Sequence, residues 1–127
     1  MDVKEMSSLK LAFIGDAHFN YTVKEHLVKV TQVKVQLLQK LSTHYLSAKA
    51  QASFIGYLIE NELLTEKEMD IYKRGRNAKS HNAPKNTDVV TYHMSTGFEA
   101  LWGYLVLTEQ KERLEQIWNT IKTLVGE

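Results

Sequence analysis

Apolar residues recur at mixed three- and four-residue spacing over residues 9–28, at Leu11, Phe13, Ile14, Phe19, Tyr21, Val23 and Leu27, and this period predicts a first helix. Val28, Val30, Val33 and Val35 alternate in a partly strand-like way. An isolated strand has nothing to pair with, so residues 29–34 are predicted to be a connection. A second helix is predicted over Val35–Leu46 and a third over residues 47–64, with Ala50, Phe54, Tyr57, Leu58 and Leu63 as its buried stripe. The pattern does not decide whether these two helices are continuous. Thr65-Glu66-Lys67-Glu68 has the form of a capping box, in which hydroxyl and carboxylate satisfy each other's free amides, and it predicts a fourth helix fading near Gly75. Residues 76–85 hold Asn, Ser, His and the only proline and read as a long loop. Asn86, Thr87 and Asp88 offer caps for a fifth helix through Leu107, and residues 109–125 form a last one with Leu114, Ile117, Trp118, Ile121 and Leu124 on one side. The expected class is all-α.

Composition agrees with that reading. Six glycines and one proline in 127 residues make the chain poor in turn formers, and the length is that of one ordinary domain able to bury a core. No cysteine occurs, which excludes disulfides, thiolate metal sites and thiol chemistry. The first eleven residues lack an apolar stretch of signal-peptide length, and the longest apolar run, residues 101–107, is too short to span a bilayer. A soluble, cytoplasmic protein without membrane partners is expected.

Sixteen basic and fifteen acidic residues leave a formal charge of +1, so any polyanion site has to be local. Residues 71–87 contain no acid yet carry Lys73, Arg74, Arg76, Lys79 and Lys85. A run of this kind is more often a plain solvated surface than a binding face.

All but two of the acids lie where charge costs little, Glu60, Glu62, Glu66, Glu68 and Asp70 among them. Asp16 follows Leu11-Ala12-Phe13-Ile14-Gly15, and Glu99 stands among Ser95, Thr96, Trp102 and Gly103. Burying either carboxylate without compensation costs several kcal/mol. Small residues around Glu99 would let another helix approach closely. Were that helix the one carrying Asp16, the pair would suit a hard divalent cation such as magnesium, which takes one or two protein carboxylates plus waters. A helix cap or a lysine partner would satisfy the same acids without any catalytic role.

The five histidines match no zinc-binding spacing, and Trp102 and Trp118 stand among apolar residues as core or subunit contacts do. Neither a glycine-rich phosphate loop nor a nucleophile elbow is present.

Leu11-Ala12-Phe13-Ile14-Gly15-Asp16-Ala17 resembles the Gly-Asp-Ala signature of ribonuclease III catalytic domains, and Phe98-Glu99-Ala100-Leu101-Trp102-Gly103 resembles their second motif. Lys73-Arg74-Gly75-Arg76-Asn77-Ala78-Lys79-Ser80, followed by Pro84-Lys85-Asn86-Thr87-Asp88, is similar to the bacterial Mini-ribonuclease III subfamily. The similarity runs in order over residues 9–107. It implies an all-helical ribonuclease III catalytic fold spanning residues 1–127 without a double-stranded RNA-binding domain. It also implies an obligate homodimer that hydrolyses double-stranded RNA with Mg2+, for which Mn2+ is a substitute, and that matures the precursor of large-subunit (23S) ribosomal RNA.

By position, the resemblance makes Asp16 and Glu99 the catalytic, metal-binding carboxylates. Lys73, Arg74, Arg76, Asn77, Lys79, Ser80, Lys85 and Lys49 become the RNA contacts. Asn20 and Thr96 become supporting residues. Other acids of larger ribonuclease III enzymes are missing: Ala12, Thr96, Asn20 and Ser53 stand where relatives carry carboxylates. That departure leaves the number of metals and the turnover open. It also keeps alive a second reading, a ribonuclease III fold that binds structured RNA without cutting it, and a third, a helical interaction protein with structural acids. The RNA substrate and any accessory protein, ribosomal or other, are not legible in the residues.

Overall fold

Side-chain caps set most of the helix starts. The computed structural model describes residues 2–78 and 88–127. After a short 3-10 turn (Val3–Glu5), the Ser7 hydroxyl accepts from the Lys10 amide at 3.2 Å and starts α1 (Ser8–Val30). α2 covers Val35–Leu46, as predicted. The chain then breaks at Ser47, which is extended at φ −64° and ψ 152°. Its N–H donates to the Thr43 carbonyl while its hydroxyl accepts from the Ala50 amide and starts α3 (Ala48–Glu60). The second and third helices are therefore separate. The capping box before α4 (Glu66–Asn77) is formed in both directions, Thr65 N–H to Glu68 at 2.9 Å and Glu68 N–H to Thr65 at 3.1 Å. Asp88 accepts from the Thr91 amide at 3.3 Å at the head of α5 (Val89–Leu107). α6 (Lys111–Val125) closes on Gly126, whose φ of 113° is the left-handed cap that glycine favours.

Helix α5 is the centre of the molecule. It is buried on nearly every side, with α1, α3 and α4 packed directly against it, α6 beside it, and α2 resting on α1 and α3. Phe19 of α1 meets Phe98 and Trp102 of α5 edge-on, each with centroids 5.0 Å apart, so Trp102 is core. Trp118 is half-buried against Phe19, His26 and Tyr45, and Glu127 accepts from Tyr45 and pairs with His26, tying α6 to α1 and α2. No strand is present among the described residues, and none of their helices is long and apolar enough to cross a membrane.

Several expectations need correction. α1 continues to Val30, so the connection is shorter than predicted. Phe13 and Tyr21 are 81% and 62% exposed, and α1 buries a narrower stripe of Leu11, Ala12, Gly15, Phe19, Val23 and Leu27. α3 stops at Glu60, just before Glu62 takes a positive φ of 53°, and Tyr57 and Leu63 are exposed rather than buried. Glu109 turns the same way, at 56°, and delays α6 to Lys111. Glu68 was expected on a charged face but is buried. Arg113 grips it with two bonds of 2.8 Å, and these bonds and the Thr65 cap outweigh burial and hold its carboxyl below the usual range. The predicted loop begins later, since α4 runs through Asn77, and most of it falls outside the described residues.

Two pairs of glycines explain how the helices come so close. A Cβ on Gly15 would lie 1.9 Å from the Glu99 carbonyl oxygen, and one on Gly103 would lie 1.9 Å from that of Leu11, so α1 and α5 touch backbone to backbone. Gly75 does not end α4. It sits inside the helix because a Cβ there would strike Ala100 at 2.7 Å, while one on Gly97 would strike the Tyr72 ring at 2.6 Å.

Gly103→Ala is expected to destabilise the protein by about 3 kcal/mol or more, the upper end of overpacking, because a backbone carbonyl cannot turn aside as a side chain can. Gly56→Ala has only Met94 Cε at 3.9 Å to meet, and should be neutral or gain up to about 1 kcal/mol of helix propensity. Urea midpoints test both, and similar midpoints for the two variants would contradict the backbone contact.

Candidate active site

The Gly15–Gly103 crossing brings the two motif carboxylates together. Asp16 follows Gly15 on α1, and Glu99 lies one turn before Gly103 on α5, with its own carbonyl forming part of the contact. The two side chains come within hydrogen-bonding reach of each other. Glu99 is half-buried, whereas Asp16 is exposed rather than buried as expected. Burial first, and then the bond to Asp16 and its charge, push the Glu99 carboxyl from 4.5 up to about 8, against an opposing hydrogen bond from Gln51. A raised pKa on one of two close acids is the ordinary response to repulsion between like charges.

The neighbours of the pair are amides rather than acids. Asn20 Nδ2 donates to Asp16 Oδ1 at 3.2 Å and to the Asp16 backbone carbonyl at 2.9 Å, so this residue supports Asp16 by orienting it. Gln51, from the first turn of α3, donates to the Leu46 carbonyl at 3.4 Å and reaches Glu99. The sequence reading missed Gln51. Its signal was register: it lies one turn before Phe54 and two before Leu58, on the stripe that α3 buries. Thr96 lies elsewhere, buried on the α4 side of α5 with its hydroxyl on the Tyr92 carbonyl at 3.1 Å. Ser53 is exposed with its hydroxyl on the Ala50 carbonyl, and Ala12 is core.

Among the described residues, no Lys or Arg pairs with either carboxylate, and no third His, Cys, Asp or Glu joins them. His18 is committed elsewhere, its Nδ1 accepting from Trp102 Nε1 at 3.0 Å while burial holds its pKa below the ordinary value.

The basic candidates are distributed over two places. Lys73, Arg74, Arg76 and Asn77 occupy the last turns of α4, which pack through Gly75 onto Gly97 and Ala100, beside Glu99 in α5. Lys73 and Arg74 are exposed, Arg74 pairs with Asp70 at 3.5 Å, and Arg76 lies over the Tyr72 ring and donates to Asn77. Lys49 is separate, lining with His44 and Ser53 a groove of about 760 Å³. Lys79, Ser80 and Lys85 lie outside the described residues.

Known proteins resemble the chain in sequence and fold. The family model described as the ribonuclease III domain matches residues 9–110. A Mini-ribonuclease 3 of Enterococcus faecalis is 51% identical over 99% of this chain and 96% of its own length. Those of Streptococcus pneumoniae and Staphylococcus aureus are 50% and 46% identical, covering 92% and 98% of this chain and 91% and 93% of themselves. A crystal structure of a Fusobacterium nucleatum protein superposes with a TM-score of 0.84 at 27% identity, covering 96% of each chain. The chain belongs to the ribonuclease III family, as an endoribonuclease with that family's all-helical fold, and within it to the Mini-ribonuclease 3 group.

The raised Glu99 pKa has a thermodynamic consequence. In metal-free protein the folded state keeps the Glu99 proton up to about pH 8, whereas the unfolded chain loses it near 4.5. The stability this group contributes is therefore complete below pH 4.5 and declines as pH rises toward 8. Glu99→Gln is expected to melt above wild type at pH 9, by a margin that narrows toward pH 5, in thermal scans with chelator present. A margin that widens toward low pH would contradict the raised Glu99 pKa.

Proposed function

We propose that this endoribonuclease hydrolyses double-stranded RNA as a cytoplasmic homodimer dependent on Mg2+, with Mn2+ as a substitute, and that it matures the precursor of 23S ribosomal RNA. The observation that carries the reading is the pairing of Asp16 and Glu99 at the helix crossing, without a basic partner among the described residues. Two hard oxygen donors on one side of a small, hydrated cation fit magnesium, which usually keeps several waters and takes substrate phosphate oxygens. When bound, the ion supplies charge neutralisation at the scissile phosphate and activation of water for attack.

The chain's own residues do the remaining work. Asp16 and Glu99 hold the ion, and Asn20 fixes the Asp16 rotamer through its 3.2 Å bond. Lys73, Arg74, Arg76 and Asn77, continuing into Lys79, Ser80 and Lys85, contact phosphates and 2′-hydroxyls, with Lys49 as a further contact. A-form RNA hides its base edges in a deep, narrow groove, so recognition is by shape and sequence preference is weak. Dimerisation is supported by Phe13, a large apolar side chain 81% exposed one turn before Asp16, which a second copy would cover. The maturation role rests on the resemblance to the Mini-ribonuclease group.

Asp16→Asn is expected to lower Mg2+-dependent cleavage of a long RNA duplex by at least about 100-fold, since losing even an outer partner of a metal ligand costs 10–100-fold. Its helicity and dimer mass should be unchanged. Cutting at the wild-type rate would remove Asp16 from catalysis. The absence of further acids at Ala12, Asn20 and Thr96 favours one competitor, an RNA-binding module that does not cut. Wild-type protein that retains duplex RNA but never cleaves it would establish that competitor instead.

Arg76→Ala should weaken duplex binding and reduce the slope of log affinity against log salt by about one, because each lost phosphate contact releases about one counterion fewer. A slope equal to wild type, in filter-binding titrations, would exclude Arg76 as a phosphate contact.

A further inference from the structure

Gln51 has an environment that a helix-packing role does not explain. It is 2% exposed in the first turn of α3, at a register where the same face carries Phe54, Ile55 and Leu58. A buried primary amide is costly unless its donors are used. One is directed to the Leu46 carbonyl at 3.4 Å, the last residue of α2, and the amide lies near enough to the Glu99 carboxylate to favour its charged form. The amide is thus anchored to backbone at the α2–α3 break and aimed at α5. Asn20 is likewise anchored to a backbone carbonyl, at 2.9 Å, and donates to the Asp16 carboxylate at 3.2 Å. Each acid of the pair therefore has its own neutral, backbone-anchored donor. Such a donor fixes a carboxylate rotamer without adding charge, as outer partners of metal ligands do.

We propose that Gln51 is a positioning residue that holds the Glu99 carboxylate toward Asp16 for cation binding, an inference that rests on the two-carboxylate reading above. It explains how a site with only two acids among the described residues stays ordered. The neighbouring Ser53 does not share the task, since its exposed hydroxyl is spent on the Ala50 carbonyl.

The test is calorimetric titration of metal-free protein with MnCl2, beside Mg2+-dependence of duplex cleavage. Gln51→Met keeps the side-chain volume and removes both donors, and Gln51→Asn keeps an amide too short to reach Glu99. Both are expected to bind Mn2+ roughly 10–100-fold more weakly than wild type. The Mg2+ concentration for half-maximal cleavage should rise to match, while the rate at saturating Mg2+ stays within a few-fold. Reading Mn2+ affinity below the melting temperature of each variant separates this loss from any change in stability. Mn2+ affinity within two-fold of wild type in either folded variant, with Glu99→Gln losing binding, would overturn the role of Gln51 and leave the carboxylate pair standing. If Glu99→Gln and Asp16→Asn also bound Mn2+ as wild type does, the pair reading would fall, and Gln51's role with it.

Discussion

The tightest of the glycine contacts is between two backbones. Gly15 and Gly103 let α1 and α5 meet with each peptide carbonyl in the space that the other helix's Cβ would need. Any side chain at either position would push the helices apart, because its Cβ would lie 1.9 Å from a backbone carbonyl oxygen of the other helix. The residue after Gly15 and the residue one turn before Gly103 are the two acids, so the contact that closes the core also sets their separation. Precision at the site thus comes from two rigid helices rather than from loops. α5, buried by α1, α3 and α4, has little freedom to shift.

Glu68 and Glu99 show two outcomes for a carboxyl withdrawn from water. Burial pushes both carboxyls upward. At Glu68 two bonds from Arg113 and the Thr65 cap reverse the effect, and the charge is fully satisfied within the fold. At Glu99 the nearest charged group is a second acid, and the amide of Gln51 only moderates the result. The first arrangement stabilises a helix start. The second leaves a perturbed carboxyl with no basic partner among the described residues, the pattern by which functional sites are recognised.

Much of this was legible in the residues. Capping chemistry at Thr65–Glu68 and Asp88, and the bounds of α2, follow from local rules that the tertiary structure leaves alone. The acids were found because Asp16 and Glu99 lie among apolar and small neighbours where charge is out of place. What escaped depends on the third dimension. Periodicity marks Phe13 and Tyr21 as apolar but cannot say that α1 buries only a narrow stripe. Gly75 looks like a helix end until Gly97 and Ala100 are seen against it. Gln51 is an unremarkable polar residue in the sequence, and only the placement of α3 against α5 shows where its amide is aimed.

If the helix crossing exists to present Asp16 and Glu99 to one cation, a crystal of the protein soaked in MnCl2 should show an anomalous peak bridging their carboxylates. It should vanish in Asp16→Asn crystals of the same form. Manganese bound only elsewhere, or touching one of the two acids while the other turns away, would contradict the account.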